Sequence, residues 1–92
     1  MAKLILVDDD LPLSEILREY LSRNAHEVIL CHDSATAEQV VSMENPDLAI
    51  IDYQMPGKTG VQLLADLRAR KETRLLPVLF LSGTQALLFT SQ

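Results

Sequence analysis

The chain has 92 residues, the size of one small domain, so its motifs are expected to share a single hydrophobic core. Hydrophobic residues make up 48% and charged residues 23%, proportions that exclude a disordered or collagen-like chain. The formal net charge of −5 and the shortness of every apolar run predict that this segment binds neither nucleic acid nor a membrane.

Short apolar runs alternate with helical patterns from the beginning of the chain. Residues 4–7 form an apolar run followed by three acids, which is typical of a buried strand that opens into a polar loop. Apolar residues then recur at spacings of three and four and predict an amphipathic helix over residues 13–24. Residues 28–31 are predicted as the second strand and residues 35–44 as the second helix. The apolar stripe of the first helix consists of Leu13, Ile16, Leu17, Tyr20 and Leu21.

The second half of the chain repeats this alternation. Residues 48–51 are predicted as a third strand, which ends at Asp52, and a turn containing Met-Pro-Gly leads into a third helix after Gly60. Residues 78–81 are predicted as a fourth strand. Strands that alternate with helices at this spacing imply a parallel sheet with right-handed crossovers, and hence a doubly wound α/β fold. The third helix carries its apolar face on Val61, Leu63, Leu64, Ala65 and Leu67.

Acidic residues follow the first and third predicted strands. The carboxyl ends of parallel strands lie at one edge of the sheet, so Asp8, Asp9 and Asp52 are expected to lie close together if the first and third strands are neighbours. Because neighbouring carboxylates resist simultaneous ionisation, a cation is expected among them, and oxygen ligands suit Mg²⁺ or Mn²⁺. The alternative is local: acids before a helix cap its free N–H groups, a role open to Asp10 in particular, and Asp52 could simply start a turn.

The residues that zinc prefers lack a ligand spacing in this chain. Cys31 and both histidines, His26 and His32, lie in or beside the second predicted strand. We therefore expect Cys31 to be a core residue and the histidines to be structural or surface groups. A single cysteine cannot form an internal disulfide, and it favours a reducing cytoplasm as the compartment.

Three separated segments carry a family resemblance. They are LVDDD at residues 6–10, DYQMPGKTG at residues 52–60 and LFLSG at residues 79–83. In this order and at these separations they resemble the receiver domain of bacterial two-component response regulators, over about residues 3–83.

The resemblance implies a single, incomplete receiver domain over residues 1–92. Its expected fold is the flavodoxin-like parallel sheet with strand order 2-1-3-4, lacking the family's fifth strand and last helix. Residues 84–92 form a tail that does not match the family pattern. The module is expected to be a signalling receiver and not an enzyme, beyond self-catalysed phosphoryl transfer and slow autodephosphorylation.

The resemblance also assigns a metal site. It implies that Asp9 binds Mg²⁺ directly and that Asp8 binds it through a water molecule. Asp52 and the backbone carbonyl of Gln54 complete the implied ligand set, and Mn²⁺ could replace Mg²⁺.

The same resemblance assigns the phosphoryl chemistry. Asp52 corresponds to the phosphoacceptor, and a sensor histidine kinase or a phosphotransfer protein is the implied donor. Ser82 corresponds to the hydroxyl residue that contacts the phosphoryl group and moves when it arrives, and Gly83 to the small residue that leaves the approach open. Phosphorylation adds negative charge and three strong acceptor oxygens, which makes such a switch physically reasonable.

The chain departs from the family pattern at its end. The family's phosphate-binding lysine follows a fifth strand, and Lys58 is not expected to replace it because a solvated position is predicted for it. A fourth strand with a bare edge would need cover. A homo-oligomer is therefore expected, with edge strands paired or residues 86–89 exchanged between subunits. The alternative for this tail is the first turn of a further helix.

The sequence leaves two other functions open. One is an oligomerising interaction or assembly module that keeps the receiver scaffold without efficient phospho-switching. The other is a phosphatase of the haloacid dehalogenase type, which also uses an aspartyl intermediate. That class needs a second acid two residues after the nucleophile, and Gln54 occupies this position.

Overall fold

The computed structural model describes residues 2–82 and 85–89, with residue 82 and residues 85–89 described by their backbone. All four predicted strands and all three predicted helices are present, and a fifth strand follows. In chain order the elements are β1 (Lys3–Val7), α1 (Leu11–Arg23), β2 (Glu27–Cys31), α2 (Ser34–Glu44), β3 (Leu48–Asp52), α3 (Gly60–Ala69), β4 (Val78–Ser82) and β5 (Gln85–Phe89).

The first four strands form a parallel sheet in the order β2-β1-β3-β4. In the register of the sheet, Leu6 lies beside both Leu30 and Ile50, and Ile50 lies beside Leu79. This order confirms the predicted flavodoxin-like, doubly wound α/β fold. It also makes β1 and β3 neighbours, so the loops that follow them leave the sheet side by side.

The tail forms a strand, which corrects the expectation of a bare β4 edge. β5 pairs antiparallel with β4, from Val78 opposite Phe89 to Ser82 opposite Gln85. The alternative of a further helical turn is therefore wrong for residues 85–89. Only two residues of sequence separate β4 from β5, whereas a parallel neighbour needs a crossover of about a dozen residues or more. The outer edge of this side of the sheet accordingly belongs to β5 and not to β4.

One face of the sheet packs against α2 and α3. The odd-numbered side chains of β1 and β3 lie on this face, and Phe80 of β4 joins them. Leu63 and Leu67 of α3 are fully buried, whereas Val61 and Ala65 are exposed, so the buried side of α3 is narrower than predicted. Cys31 is part of this core, as predicted. The members of the core are Ile5, Val7, Cys31, Ala37, Val41, Ala49, Ile51, Met55, Leu63, Leu67, Leu76, Val78 and Phe80.

The opposite face carries α1. Asp10 caps this helix by accepting a hydrogen bond from the Leu13 N–H at 3.0 Å, which confirms the capping interpretation for that acid. The apolar stripe of α1 is only partly buried, because Ile16 and Tyr20 are each 64% exposed. α1 is the one helix on this face among the described residues, and no second helix there covers the exposed part of its stripe.

Candidate functional site

The acidic site forms where β1 and β3 end. Val7 and Ile51 are neighbours in the parallel register, so Asp8 and Asp52 follow adjacent strand positions. Carboxylate oxygens of Asp8, Asp9 and Asp52 all lie within 4.8 Å of one another. The structure thus brings together the three acids that the sequence predicted to meet.

Each acid of the 8–10 segment has a different environment. Asp8 is only 2% exposed, and its Oδ1 accepts the N–H of Asp10 at 2.9 Å. Asp9 is exposed, and its carboxylate is open to a solvent ion. Asp10 turns to the helix instead, where it serves as the cap of α1. Two acids therefore remain for the site and one belongs to the helix.

Asp52 lies in an electrostatically unfavourable position. Burial raises the pKa of its carboxyl, and the backbone hydrogen bond from Gln54, at 3.2 Å, acts in the opposite direction. The charges of Asp8 and Asp9 raise the pKa further, and so does a hydrogen bond with the Asp8 carboxyl. A cation among these carboxylates would remove the repulsion.

The oxygen-only donor set fits a hard divalent cation. Three carboxylates within a few ångströms match the preference of Mg²⁺ and Mn²⁺, which also retain water ligands. Asp8, Asp9 and Asp52 could each supply a ligand atom. Gln54 is exposed beside Asp52, and its N–H is already directed to the Asp52 carboxylate.

The loop between β3 and α3 is tightly held against the site. Gly60 approaches the end of β3 so closely that a Cβ atom there would lie 2.6 Å from the Asp52 backbone oxygen. Gly57 has a φ of +81°, a conformation that favours glycine. Thr59 caps α3 through a reciprocal capping box with Gln62. These contacts explain why a turn with glycines follows the acidic strand end.

A pocket of about 330 Å³ opens beside the acids. Its polar side is formed by acidic residues, and its apolar side by leucines of α1 and β4. The pocket therefore leaves space next to the Asp52 carboxylate at the edge of the sheet. Its lining residues are Asp8, Asp10, Leu13, Leu17, Asp52 and Leu81.

Ser82 is the last residue of β4 and lies one position beyond Leu81, the register partner of Asp52. Its backbone is therefore at the same edge of the sheet as the acids. The Ser82 side chain and Gly83 lie outside the described residues.

Lys58 forms ion pairs away from the acidic site, which corrects the prediction that it is merely solvated. Its ammonium pairs with Asp66 of α3 and lies 3.9 Å from the Glu38 carboxylate of α2. The hydrogen bond with Asp66 raises the pKa of Lys58. Arg70 joins the same cluster through Glu38. The eight-residue separation of Lys58 and Asp66 carries no periodic signal, so the sequence could not reveal this pair.

Two further residues make contacts near the site that the sequence did not predict. His32 places its Nδ1 3.0 Å from the backbone oxygen of Asp8. The buried Ser34 hydroxyl donates to the backbone oxygen of Pro56 and accepts the N–H of Lys58. Both contacts join segments more than 20 residues apart, and neither residue lies in a recognisable motif.

Residues 4–91 match the family described as the response regulator receiver domain. This chain belongs to that family. Receiver domains are signalling modules, and the match extends from β1 through β5 of this receiver domain. None of the helices in the described part of the chain has the length and apolar character to cross a bilayer.

Solved structures share the fold of this receiver domain. A response regulator from Desulfuromonas acetoxidans is 29% identical with a TM-score of 0.82, and the match covers 92% of this chain and 69% of that one. Chemotaxis protein CheY4 of Vibrio cholerae is 26% identical with a TM-score of 0.85, covering 92% and 71%. The BeF3-activated N-terminal receiver domain of RstA from Klebsiella pneumoniae is 30% identical with a TM-score of 0.81, covering 90% and 68%. This chain spans about two thirds of the length of such structures.

Proposed function

We propose that this receiver domain accepts a phosphoryl group on Asp52 from a sensor histidine kinase or a phosphotransfer protein. The observation that carries the proposal is the approach of the Asp8, Asp9 and Asp52 carboxylates to within 4.8 Å of one another at the carboxyl edge of the sheet. A cytoplasmic location belongs to the same proposal, since the core cysteine Cys31 is kept reduced there.

The acidic residues would hold Mg²⁺ or Mn²⁺. The exposed Asp9 suits direct coordination, whereas Asp8 has one oxygen occupied by the Asp10 N–H and suits contact through water. Asp52 and the backbone carbonyl of Gln54 complete the proposed set. A bound divalent cation would neutralise charge on the carboxylates and on the phosphoryl oxygens.

Asp52 would act as the nucleophile. One of its carboxylate oxygens forms a bond to phosphorus while the bond from phosphorus to the donor's histidine nitrogen breaks. The electron pair remains on that nitrogen, which takes up a proton. The hydrogen bond from Gln54 N–H to the Asp52 Oδ1 orients the carboxylate, so that little rearrangement is needed for attack.

Ser82 and Gly83 would contact the phosphoryl group once it is attached. The position of the Ser82 backbone, one residue beyond the register partner of Asp52, supports this assignment. Among the ion pairs of the described residues, none joins a lysine or arginine to the three site acids. Because a positioned cation stabilises transferring phosphoryl groups, we expect slow labelling and weak switching.

Acetyl phosphate tests the proposal directly. With Mg²⁺ present, the protein should gain one phosphoryl group, detected as a mass increase by intact mass spectrometry, as the phosphorus–oxygen bond of the donor breaks and acetate leaves. Asp52→Asn should remain unlabelled, while Asp47→Asn, which alters an acid directly before β3 at the opposite end of the sheet, should be labelled like the parent. Equal labelling of the Asp52→Asn variant and the parent would refute the proposal.

A second candidate, an assembly module, is favoured by the exposed stripe of α1. Leu13, Ile16 and Tyr20 are large apolar residues with exposed surface on one helix. Because β5 already pairs with β4, this candidate uses the α1 surface and not a bare β4 edge. In this candidate, a second copy of the chain would cover α1.

A further inference from the structure

We propose that Ser34 is a positioning residue for the phosphoryl-transfer site, because its hydroxyl holds the loop of residues 53–59, here called the Asp52 loop, against α2. The inference rests on the proposed function, since it assigns Ser34 a role in cation binding and phosphoryl transfer at Asp52. Ser34 itself does not belong to the acidic cluster.

The Ser34 hydroxyl makes two hydrogen bonds to the backbone of the Asp52 loop. Its Oγ donates to the Pro56 carbonyl oxygen at 3.1 Å and accepts the Lys58 N–H at 3.3 Å. The side chain is 7% exposed, so water has little access to these bonds. One hydroxyl thus joins two points of the loop, on either side of Gly57.

Gly57 shows how closely the loop turns around this hydroxyl. Its φ of +81° directs the chain into a tight turn, and a Cβ atom at Gly57 would lie 3.6 Å from the Ser34 Oγ. The hydroxyl therefore lies on the inside of the turn. It forms the hydrogen bonds that the Pro56 carbonyl and the Lys58 N–H would otherwise form with water.

Ser34 is well placed to impose a position on the loop because α2 is itself fixed. Asp33 caps α2 by accepting the Ala35 N–H at 2.9 Å. Ala37 and Val41 of α2 are fully buried against the sheet. Because the helix is held in place by the core, a side chain on its first turn also holds the loop residues that it contacts in place.

The other end of the Asp52 loop reaches the acidic site. Gln54 donates its N–H to the Asp52 carboxylate, and Met55 is buried in the core directly before Pro56. The proposed cation ligand, the Gln54 carbonyl, therefore lies two residues from a Ser34 contact. Mg²⁺ demands near-ideal octahedral geometry, so a small displacement of this carbonyl would weaken cation binding and slow transfer.

The experiment compares two variants that remove the bonds with one that does not. Ser34→Ala deletes the hydroxyl, and Ser34→Cys replaces it with a slightly larger thiol that forms only weak hydrogen bonds. The matched control is Thr36→Ala on the exposed side of the same helix turn, whose hydroxyl bonds only to the Asp33 carbonyl among the described hydrogen bonds. Three quantities are to be measured: amide hydrogen exchange at Lys58, Mn²⁺ affinity by calorimetry and the rate of labelling with acetyl phosphate.

In both Ser34 variants the amide hydrogen of Lys58 should exchange about five- to tenfold faster than in the parent. This is the loss of protection expected when one ordinary hydrogen bond is removed. Their Mn²⁺ affinity and labelling rate should fall at least about threefold, because the folded protein no longer holds the loop in place. Thr36→Ala should match the parent in all three measurements. If Ser34→Ala does not fold, the Ser34→Cys variant, which leaves no cavity, provides the test.

Three outcomes would overturn the inference: unchanged exchange at Lys58, parent-like behaviour of Ser34→Cys, or a loss of global stability with unchanged Mn²⁺ affinity of the folded protein. If the parent protein neither binds Mn²⁺ nor becomes phosphorylated, the proposed function is refuted. This test needs no variant. The two failures are therefore distinguishable.

Discussion

Asp52, the proposed phosphoacceptor, lies in an unfavourable charge environment. Its carboxylate is partly buried, faces two further carboxylates and is stabilised by one backbone N–H. These effects keep the pKa of Asp52 above its ordinary value. The site therefore costs folding stability when it is empty of cations and should recover this stability when a cation binds.

The raised pKa of Asp52 predicts a pH-dependent effect of Asp52→Asn in EDTA. Asp52 in the unfolded chain is expected to have the usual pKa of 3.8, and in the folded protein its pKa is higher. Between these two pKa values, the unfolded chain releases a proton that the folded protein retains. The parent thus loses stability with rising pH. Asp52→Asn should be more stable at pH 7, by less than about 1 kcal/mol because solvent screens a partly exposed group.

Urea unfolding at pH 7 and pH 3 checks this expectation. The gain should disappear at pH 3, where Asp52 is protonated in both states. Glu27→Gln, which removes an exposed acid at the opposite end of the sheet, serves as the control. A gain for Asp52→Asn that is the same at both values of pH would contradict the electrostatic explanation.

Gly60 predicts a steric effect at the same strand end. In Gly60→Ala the new Cβ would meet the Asp52 backbone oxygen at 2.6 Å and the Tyr53 backbone at 3.1 Å. Because backbone atoms must move, we expect a loss of about 1 to 3 kcal/mol in the free energy of unfolding. Cation affinity should fall as well, since Asp52 would shift.

Denaturant unfolding and Mn²⁺ titration measure the two effects of Gly60→Ala. Ala65→Gly, at an exposed position of the same helix, is the comparison variant and should lose only about 1 kcal/mol of stability without a change in cation affinity. If Gly60→Ala is as stable as the parent, the close approach of Gly60 to the Asp52 backbone does not restrict the residue at position 60.

At the scale of elements, the beginning of each helix depends on one polar residue. Asp10, Asp33 and Thr59 cap α1, α2 and α3, respectively. Each cap lies in a loop that leaves the carboxyl end of a strand, so the helix starts are fixed at the edge of the sheet where the acids gather. Local stability of the helices and the geometry of the site are therefore linked.

Thr59 provides a prediction at this scale. Thr59→Ala removes the acceptor for the Gln62 N–H, a 3.2 Å hydrogen bond within the capping box of α3. The free energy of unfolding should fall by about 1 kcal/mol. Thr59→Ser keeps the acceptor and should lose much less, as measured by urea unfolding. Equal losses in the two variants would show that the methyl group, and not the cap, stabilises the helix.

At the scale of the whole molecule, the two faces of the sheet are unequally covered. The α2 and α3 face encloses the main core, while the α1 face leaves Ile16 and Tyr20 exposed and Leu79 and Leu81 partly exposed. Apolar surface of this kind favours association because burying it removes it from water. The charged residues beside it form pairs within α1, such as Glu15 with Arg18, so like charges do not dominate the surface.

Ile16→Lys tests the association through α1. If a second copy covers this helix, the variant should sediment as a smaller species than the parent at the same concentration. Its monomer stability should change by about 0.5 kcal/mol or less, because Ile16 is already exposed. Gln39→Lys on the exposed side of α2 controls for the added charge. Identical sedimentation of Ile16→Lys and the parent would refute an α1 interface.

Local patterns in the sequence determined the succession along the chain of the first four strands and three helices, the buried character of Cys31 and the location of the acids at strand ends. Each of these follows from residue spacing and from the rule that parallel strands end at one edge. The antiparallel pairing of β5, the Lys58–Asp66 pair and the Ser34 contacts depended on which distant segments meet. Only the tertiary structure decided them, because a hydrogen bond or ion pair between remote residues leaves no periodic trace in the chain.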